Sequence, residues 1–388
     1  MPQTAKIRLF KPCMSPSAAS EVALTLASGY IGQGPKVEEF EAALKEVYGL
    51  DFLTVNSCTS AIDLALHLCG VGPGDCVITT PMTCTATNNH IVLRGATPVW
   101  ADVDPNTGML DPESVKRKYD IYRDNGEVIA LHRGAPVKAI IAVDFGGRRC
   151  DYPMLRGFGI PVIEDAAHLG PATIGSNHGD YVALSFQAIK FLTTGDGGAL
   201  HVPEAQRARA KLLRWYGLDR TKSESFRCAQ NIREVGYKYH MNDIAATIGL
   251  ANLEEASEAL RVQWHNADKL YTDLQDVDGV VPAPWWPALN HYWLFPLLVE
   301  GGYQWDFIRY LERLGIEASP VHGRNDKHEA FQFFSGPLPG VDAFASRVVC
   351  IPGGWWLSQK DKLRVIEAVR GWPKYLRENN LNDMSSLG

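Results

Sequence analysis

One stretch, residues 161–200, constrains the fold and function of this chain more than any other. It begins with an apolar run, which predicts a buried parallel strand, and the run ends on Glu164 and Asp165. A second strand-like run leads to Lys190 and then to a glycine-rich turn. Because ligands of open α/β sheets bind outside the carboxyl ends of the strands, we expect Asp165 and Lys190 at that edge.

An acid and a lysine placed in this way suit pyridoxal phosphate. That cofactor needs a lysine amine to hold its aldehyde as a Schiff base, and a carboxylate against its ring nitrogen so that the ring acts as an electron sink. Apolar Ile189 and Phe191 would desolvate Lys190 and make its amine nucleophilic. A surface lysine and a turn aspartate explain either residue alone, but the pair, together with Ser185 and the glycine turn, favours the cofactor site.

Strand-like and helical patterns alternate from about residue 52 to residue 200. This alternation predicts an α/β fold in which helices cover both faces of a mostly parallel central sheet. A long amphipathic helix over residues 244–274 then leads to a smaller α+β domain. We expect an N-terminal arm and helix (1–28), a large cofactor-binding domain (29–250) and a small C-terminal domain (251–388). Residues 119–137 predict a loop insertion, because their charges are mixed and their periodicity is weak.

Composition narrows the functional classes. The net charge is −6, so we expect no nucleic-acid partner. No apolar run reaches membrane-spanning length, and the N-terminus lacks the pattern of a secretory signal. None of the eight cysteines, Cys228 among them, forms a CxxC pair, so we expect reduced thiols in the cytoplasm and neither a metal site nor a disulfide framework.

The motifs around the acid and the lysine are long and specific. They read VIEDAAH and SFQAIKFLTTGDGGAL. Both resemble the DegT/DnrJ/EryC1/StrS family of sugar-nucleotide aminotransferases, and the resemblance extends from about residue 29 to about residue 356. It implies a fold-type I pyridoxal-phosphate enzyme, with Lys190 as the catalytic lysine and Asp165 as the partner of the ring nitrogen.

The same resemblance implies three contacts to the cofactor phosphate. Cys58 and Thr59 follow a predicted strand and fall on phosphate-binding positions, although an ordinary helix cap fits these residues as well. The hydroxyl of Ser185 would reach the same phosphate, and a serine that is hydrogen-bonded within the sheet is the equal alternative.

Two further residues are expected beside the cofactor ring. Cys84 stands where the family commonly has an aromatic side chain that stacks on the pyridine. Because cysteine has no π face, either its thiol packs against the ring or another side chain covers that ring. His168 would lie near the ring edge, and a neutral histidine that only packs explains the residue equally well.

The segment GYKYH, residues 236–240, departs from the Gly-Tyr-Asn-Tyr-Arg of the family. The resemblance implies a homodimer with shared active sites, in which the family's asparagine reaches the cofactor phosphate of the neighbouring subunit. Lys238 occupies that position, and a lysine can bind phosphate as a point charge. We therefore expect Lys238 to contact phosphate across the subunit interface.

Two more segments are expected to border the substrate. By resemblance, the turn that contains Tyr30 and Gln33 lies near it, and so does the polar loop that contains His322, Arg324 and Asn325. A connector between helices and a solvated loop fit the same residues equally well.

Together these assignments predict an aminotransferase that uses pyridoxal 5'-phosphate. It would move an amino group from an amino acid, by resemblance L-glutamate, to a keto group of a nucleotide-linked deoxysugar. An aminotransferase for a non-nucleotide ketone, such as a keto-cyclitol, stays open. A related sugar dehydratase would carry histidine in place of Lys190, and a non-enzymatic regulator would have lost Lys190, Asp165 or Ser185. A nicotinamide-dependent dehydrogenase would need a Gly-x-Gly-x-x-Gly turn, which residues 56–61 do not supply.

Overall fold

The computed structural model of the protein describes residues 6–124, 135–221, 229–284, 291–334 and 336–379. The strands are β1 (Phe52–Val55), β2 (Cys76–Thr79), β3 (Thr97–Trp100), β4 (Val137–Val143), β5 (Val162–Asp165), β6 (Tyr181–Ser185), β7 (Gly198–His201), β8 (Val280–Pro282), β9 (Phe295–Val299) and β10 (Val348–Ile351). The α-helices are α1 (Ala18–Ser28), α2 (Pro35–Tyr48), α3 (Cys58–Leu68), α4 (Thr85–Leu93), α5 (Pro112–Asp124), α6 (Tyr152–Arg156), α7 (Glu204–Arg214), α8 (Asp243–Leu274), α9 (Gln304–Arg313), α10 (Pro339–Ala345) and α11 (Gln359–Glu378).

A seven-stranded sheet in the order β1-β7-β6-β5-β4-β2-β3 forms the centre of the fold. The pairs β6–β5, β5–β4, β4–β2 and β2–β3 are parallel. The pairs β1–β7 and β7–β6 are antiparallel, because β7 returns directly after the glycine-rich turn that follows Lys190. The predicted α/β class with a mostly parallel sheet is confirmed, and the antiparallel edge is an addition to it.

Apolar side chains cover both faces of this sheet. On one face, Leu53 and Val55 pack with residues of α3 and α7. On the opposite face, Phe52, Val182 and Leu184 pack with residues of α2 and α8. Since successive side chains of a strand point to opposite faces, β1 contributes to both clusters.

The C-terminal part of the chain forms a three-stranded antiparallel sheet in the order β10-β9-β8. Its core includes Phe307 of α9 and Trp372 of α11. The sequence did not indicate β8, β10 or α10. The pattern of residues 316–320 also predicts a strand, and this prediction is wrong, because these residues make only isolated bridges, from Ile316 to Ile7 and from Ser319 to Cys350.

Other expectations need smaller changes. Helix α5 runs to Asp124, so the first part of the expected loop insertion is helical, and residues 125–134 lie outside the described ranges. Helix α8 spans the expected domain boundary at residue 250, and the division into domains stays a prediction.

The described cysteines are free thiols, whereas Cys228 lies outside the described ranges. Among the helices that the structure describes, none is long and apolar enough to cross a membrane.

A carboxylate from another helix caps the start of α2. Gly34 precedes α2 and has no side chain that could cap it. The buried side chain of Asp243 fills this role, since Oδ1 accepts from the N–H groups of Gly34 (2.7 Å) and Val37 (3.2 Å), and Oδ2 accepts from that of Lys36 (3.2 Å). A Cβ atom on residue 34 would lie 2.7 Å from Oδ2 of Asp243, so this approach requires glycine.

Removing this cap should destabilise the fold. In Asp243→Ala, three backbone N–H groups lose a charged acceptor, and we expect the free energy of unfolding to fall by about 2–3 kcal/mol. Asp243→Asn keeps one side-chain oxygen and should lose less. Urea denaturation measures the difference, with the exposed Asp276→Ala as the control. Equal unfolding midpoints for Asp243→Ala and the control would contradict the capping role.

Candidate active site

A cavity of about 400 Å³ lies at the carboxyl ends of the central parallel strands. Val143, Asp165 and Ser185, the last residues of β4, β5 and β6, all line it. The structure brings these predicted site residues together in its wall: Lys190, Asp165, Cys58, Thr59, Ser185, Cys84, His168 and His322. Lys238, Tyr30, Gln33, Arg324 and Asn325 do not line this cavity.

Asp165 is buried and held in a fixed orientation. Its Oδ2 accepts a hydrogen bond from the Thr87 hydroxyl (2.7 Å), and its Oδ1 accepts one from the N–H of Ala167 (3.1 Å). Burial raises the pKa of Asp165 above its ordinary value, while these two donors and the charge of Lys190 act in the opposite direction. Sequence reasoning missed Thr87, and a hydroxyl in the first turn of a helix was the only signal that pointed to it.

Lys190 lies in the turn after β6 and reaches the same cavity. Its Nζ lies 3.7 Å from the centroid of the Trp293 ring. Desolvation lowers the pKa of Lys190 from 10.5 to about 8, and the negative charge of Asp165 limits the fall. The neutral, nucleophilic form of the amine is therefore far more populated near neutral pH than in an ordinary lysine.

The first turn of α3 lines the cavity with hydrogen-bond donors. The Ser57 side chain caps this helix by accepting from the N–H of Ser60 (3.0 Å), so the N–H groups of Cys58 and Thr59 belong to the uncapped first turn. A Cβ atom on Gly198 would come within 2.5 Å of the Cys58 nitrogen, so only glycine lets β7 approach this turn. Such a helix start, with the Thr59 and Ser185 hydroxyls in the same wall, suits an anion such as phosphate.

The two cysteines of the cavity have different environments. The Cys58 thiol lies 3.7 Å from the carbonyl oxygen of Ala183, and burial raises its pKa well above the ordinary value. Cys58 therefore offers a phosphate its backbone N–H rather than a thiolate. Cys84 is exposed and precedes α4, and its thiol lines the cavity.

His168 packs in a ring stack and also lines the cavity. Its Nδ1 accepts a hydrogen bond from the N–H of Gly146 (3.0 Å). Its ring stacks on Trp293 with a centroid distance of 4.1 Å and on His322 at 5.5 Å. Burial lowers the pKa of His168 well below its ordinary value, and that of His322 to about 4. Both rings are therefore neutral at pH 7, and the proton of His168 is on Nε2.

Two residues expected at the substrate have partners within the chain. Asn325 is fully buried, its amide group donates to the carbonyl of Thr83 (2.7 Å), and its Oδ1 accepts from Asn88 (2.8 Å). Arg324 pairs with the carboxylates of Asp326 and Asp342. Asn325 therefore holds the polar loop on the start of α4, whereas Arg324 ties the same loop to α10 through Asp342.

The other three residues lie outside the cavity wall. Tyr30 is 67% exposed, and the Gln33 carbonyl accepts a hydrogen bond from Arg220 (2.9 Å). Lys238 is exposed, and its Nζ lies 5.8 Å from the centroid of the Tyr216 ring.

Sequence reasoning also missed Trp293, which fills one wall of the cavity. The apolar pattern of residues 292–299 predicts a strand that contains Trp293, but β9 begins only at Phe295. Tyr292 has a positive φ of 51°, so the backbone turns sharply just before Trp293. No spacing or composition in the sequence indicated that this side chain meets Lys190.

Comparison with known proteins assigns a class to this cavity. The sequence model of the DegT/DnrJ/EryC1/StrS aminotransferase family matches residues 12–370. The protein is thus an aminotransferase, as its family resemblance implied. It belongs to the DegT/DnrJ/EryC1/StrS aminotransferase family.

Solved structures and a curated relative agree with this membership. The structure of AtS13 from Actinomadura melliaura is 36% identical, covers 95% of this chain and 99% of its own, and has a TM-score of 0.86. That of the sugar aminotransferase CalS13 from Micromonospora echinospora is 33% identical, covers 94% and 99%, and has a TM-score of 0.84. The spore coat polysaccharide biosynthesis protein SpsC of Bacillus subtilis is 32% identical over 92% of this chain and 95% of its own.

Aminotransferases of this family depend on pyridoxal phosphate, and the cavity fits that cofactor. Lys190 offers a desolvated amine, and Asp165 offers a buried carboxylate of fixed orientation. Because residue 198 is glycine, no Cβ atom of β7 crowds the Cys58 nitrogen, and the start of α3 stays open to a phosphate in the cavity. Within the described ranges, no cluster of side chains could hold a metal ion.

The low pKa of Lys190 predicts that its charged amine lowers the free energy of unfolding, by an amount that depends on pH. Because its pKa is about 8 in the folded protein and 10.5 ordinarily, the charged amine destabilises the fold below pH 8. We expect Lys190→Met to raise the free energy of unfolding at pH 7 by up to about 3 kcal/mol. This gain should shrink as the pH rises from 8 to 10.5, where the wild-type amine becomes neutral in both states.

Urea denaturation of protein prepared without cofactor, at several pH values, measures this difference. Lys211→Met, on the exposed face of α7, is the matched control and should show no such trend. A gain for Lys190→Met that is the same at pH 7 and pH 10 would contradict a desolvated lysine.

Proposed function

We propose that the protein is a homodimeric enzyme that transfers an amino group from L-glutamate to a keto group of a nucleotide-linked deoxysugar. The observation that carries the proposal is the meeting of Lys190 and Asp165 in one cavity with the start of α3. Family membership adds aminotransferase chemistry, and CalS13 is named as a sugar aminotransferase. The nucleotide, the donor and the dimer rest on the sequence resemblance.

Each residue of the cavity has a defined task in this proposal. When bound, pyridoxal phosphate supplies the electron sink that acidifies the α-carbon of the amino donor. Lys190 would hold the cofactor through its aldehyde, and its Nζ would act as the general base that takes the proton from the donor's α-carbon and as the general acid that delivers it to a different carbon. Asp165 orients the ring nitrogen and keeps it protonated, while Thr87 and Ala167 fix the carboxylate.

The walls of the cavity complete this arrangement. Cys58 and Thr59 bind phosphate through their N–H groups, and Ser185 binds it through its hydroxyl. Trp293 keeps bulk water from Lys190, because its 6% exposed indole covers the amine. Since donor and acceptor use the same cavity in turn, we expect ping-pong kinetics.

Substrate assays test the proposed function directly. The full-length protein with pyridoxal phosphate should be yellow and lose this colour with borohydride, and Lys190→Ala should not form the bound chromophore. With glutamate, the wild type should aminate at least one member of a panel of nucleotide-linked keto sugars, as detected by mass spectrometry. Lys211→Ala is the control. Amination of a free keto-cyclitol alone would refute the nucleotide-linked substrate and support the alternative ketone.

Lys238 is proposed to bind the cofactor phosphate of the partner subunit. The segment that carries it is fixed beside α3, since the amide group of Asn56 donates to the Lys238 carbonyl (3.2 Å) and the N–H of Asn56 donates to the Tyr239 carbonyl (2.7 Å). The side chain itself is exposed and does not line the cavity of its own chain. An exposed cation on a fixed backbone suits a contact with a second subunit.

Mixed dimers distinguish a shared site from one contained in a single chain. We expect Lys190→Ala and Lys238→Ala to be weakly active or inactive when prepared separately. If the sites are shared, unfolding and refolding them together should restore about a quarter of the wild-type activity, because random pairing gives half mixed dimers with one complete site each. No recovery on mixing, with intact dimers by sedimentation, would place the contact within one subunit.

A further inference from the structure

Four rings from distant parts of the chain stack beside Lys190, and we call them the aromatic column: Phe10, Trp293, His168 and His322. Phe10 stacks on Trp293 with a centroid distance of 4.9 Å, Trp293 on His168 at 4.1 Å, and His168 on His322 at 5.5 Å. All four line the cavity, so the column forms one of its walls.

The backbone next to two rings of the column has an unusual geometry. Tyr292, just before Trp293, has a φ of 51°, and Val321, just before His322, has a φ of 69°. A positive φ is costly for a β-branched residue such as Val321, so the surrounding contacts must fix it. The indole Nε1–H of Trp293 donates to the carbonyl of Ile189 (3.0 Å), the residue before Lys190. The indole is therefore tied to the backbone of the lysine whose amine it covers.

Within the described ranges, the Lys190 amine has an aromatic face beside it and no paired carboxylate. Its Nζ lies 3.7 Å from the Trp293 ring centroid, and no carboxylate oxygen of the described residues lies within 4.0 Å of it. The titratable groups that act on it electrostatically are Asp165, Cys58, Cys84, His168 and His322. Asp165 is the carboxyl group among them, and its oxygens bond to Thr87 and Ala167.

We propose that Trp293 is a positioning residue for Lys190, whose indole face stabilises the ammonium form and holds the free amine in the cavity. The proposal deepens the proposed function and rests on it for the role of Lys190 in proton transfer. An ammonium over an indole face is attracted by the ring quadrupole without a hydrogen bond that would fix its N–H groups. The amine can thus take up a proton, stay over the indole face as an ammonium group, and then give the proton to a carbon.

A matched pair of variants isolates the aromatic face. Trp293→Phe and Trp293→Leu both lose the hydrogen bond to the Ile189 carbonyl, but only phenylalanine keeps a π face. The readout is the labelling of Lys190 by trinitrobenzenesulfonate across pH 6–11 in the full-length protein without added cofactor, quantified by peptide mass spectrometry. We expect the pH midpoint of Lys190 labelling to be highest in the wild type, lower in Trp293→Phe and lowest in Trp293→Leu. The midpoint of Trp293→Leu should lie roughly 0.5–1 pH unit below that of the wild type.

The order of the midpoints decides the proposal. A leucine midpoint equal to or above that of phenylalanine would overturn it, because burial alone, or water entering beside a smaller side chain, gives that result. If Trp293→Leu does not fold by circular dichroism, the wild-type and Trp293→Phe midpoints decide, and equal values overturn the proposal. Trp305→Leu, at a 58% exposed tryptophan of α9, is the control and should leave the midpoint unchanged.

This readout is independent of the proposed function. The labelling needs neither cofactor nor substrate, so the midpoint order tests the indole contact alone. Failure of the proposed function would appear instead as a wild type that binds no pyridoxal phosphate or aminates no sugar. In holoenzyme, the absorbance of the bound cofactor should change its pH dependence between Trp293→Phe and Trp293→Leu, which a purely structural role would leave unchanged.

Discussion

The arrangement of the site depends on two consecutive acids of β5 that point to opposite faces of the sheet. Asp165 faces the cavity, whereas Glu164 is fully buried behind it and binds Arg149 (2.9 Å). Glu164 also accepts the N–H of Gly179 (2.8 Å). Since a strand alternates its side chains, an anchor on Glu164 fixes the direction in which Asp165 points.

The anchor is a small buried polar cluster. Besides Glu164 it contains Asp144, whose Oδ1 accepts from the Tyr152 hydroxyl (2.6 Å) and from the N–H of Cys150 (3.0 Å). Burial raises the pKa of Glu164 well above its ordinary value and also raises that of Asp144, while Arg149 acts in the opposite direction. Two carboxyls that share one guanidinium in this way make the cluster costly to disturb once it is complete.

The sequence predicted the parts of the fold that depend on local pattern. Alternating apolar runs indicated the central strands, and the family motifs indicated Asp165 at the end of β5 and Lys190 in the turn after β6. β8, β10 and α10 were not indicated, since they have only three, four and seven residues. Gly34 and Asp243 show the limit of local sequence patterns most clearly, because the start of α2 depends on an acid far along the chain.

The same limit holds within the cavity. Cys84 and His168 were placed there by family motif, and the structure puts both in its wall. Asn325 carries the same kind of polar side chain as a ligand-binding residue, but in the folded chain its amide nitrogen and its Oδ1 both have hydrogen-bond partners within the protein. Residue type alone therefore does not show whether a polar side chain is free to bind a ligand, because that depends on its partners in the folded chain.

The segment around Lys238 combines two firm contacts with one exposed side chain. On one side of Lys238, the Tyr237 hydroxyl bonds to His67 (2.6 Å), and on the other side the Tyr239 hydroxyl donates to Asp63 (2.9 Å). Both partners belong to α3, so the backbone around Lys238 is fixed relative to the helix that starts at the cavity. A cation on such a support loses little conformational freedom when it binds an anion.

The N-terminal arm belongs to the active site rather than to a separate appendage. The N–H of Leu9 donates to Glu317 (3.0 Å), Ile7 bridges to Ile316, and Phe10 completes the cavity wall. Deleting residues 6–10 would therefore remove one ring of the cavity wall together with the contacts that anchor it, and would open the surroundings of Lys190 to solvent.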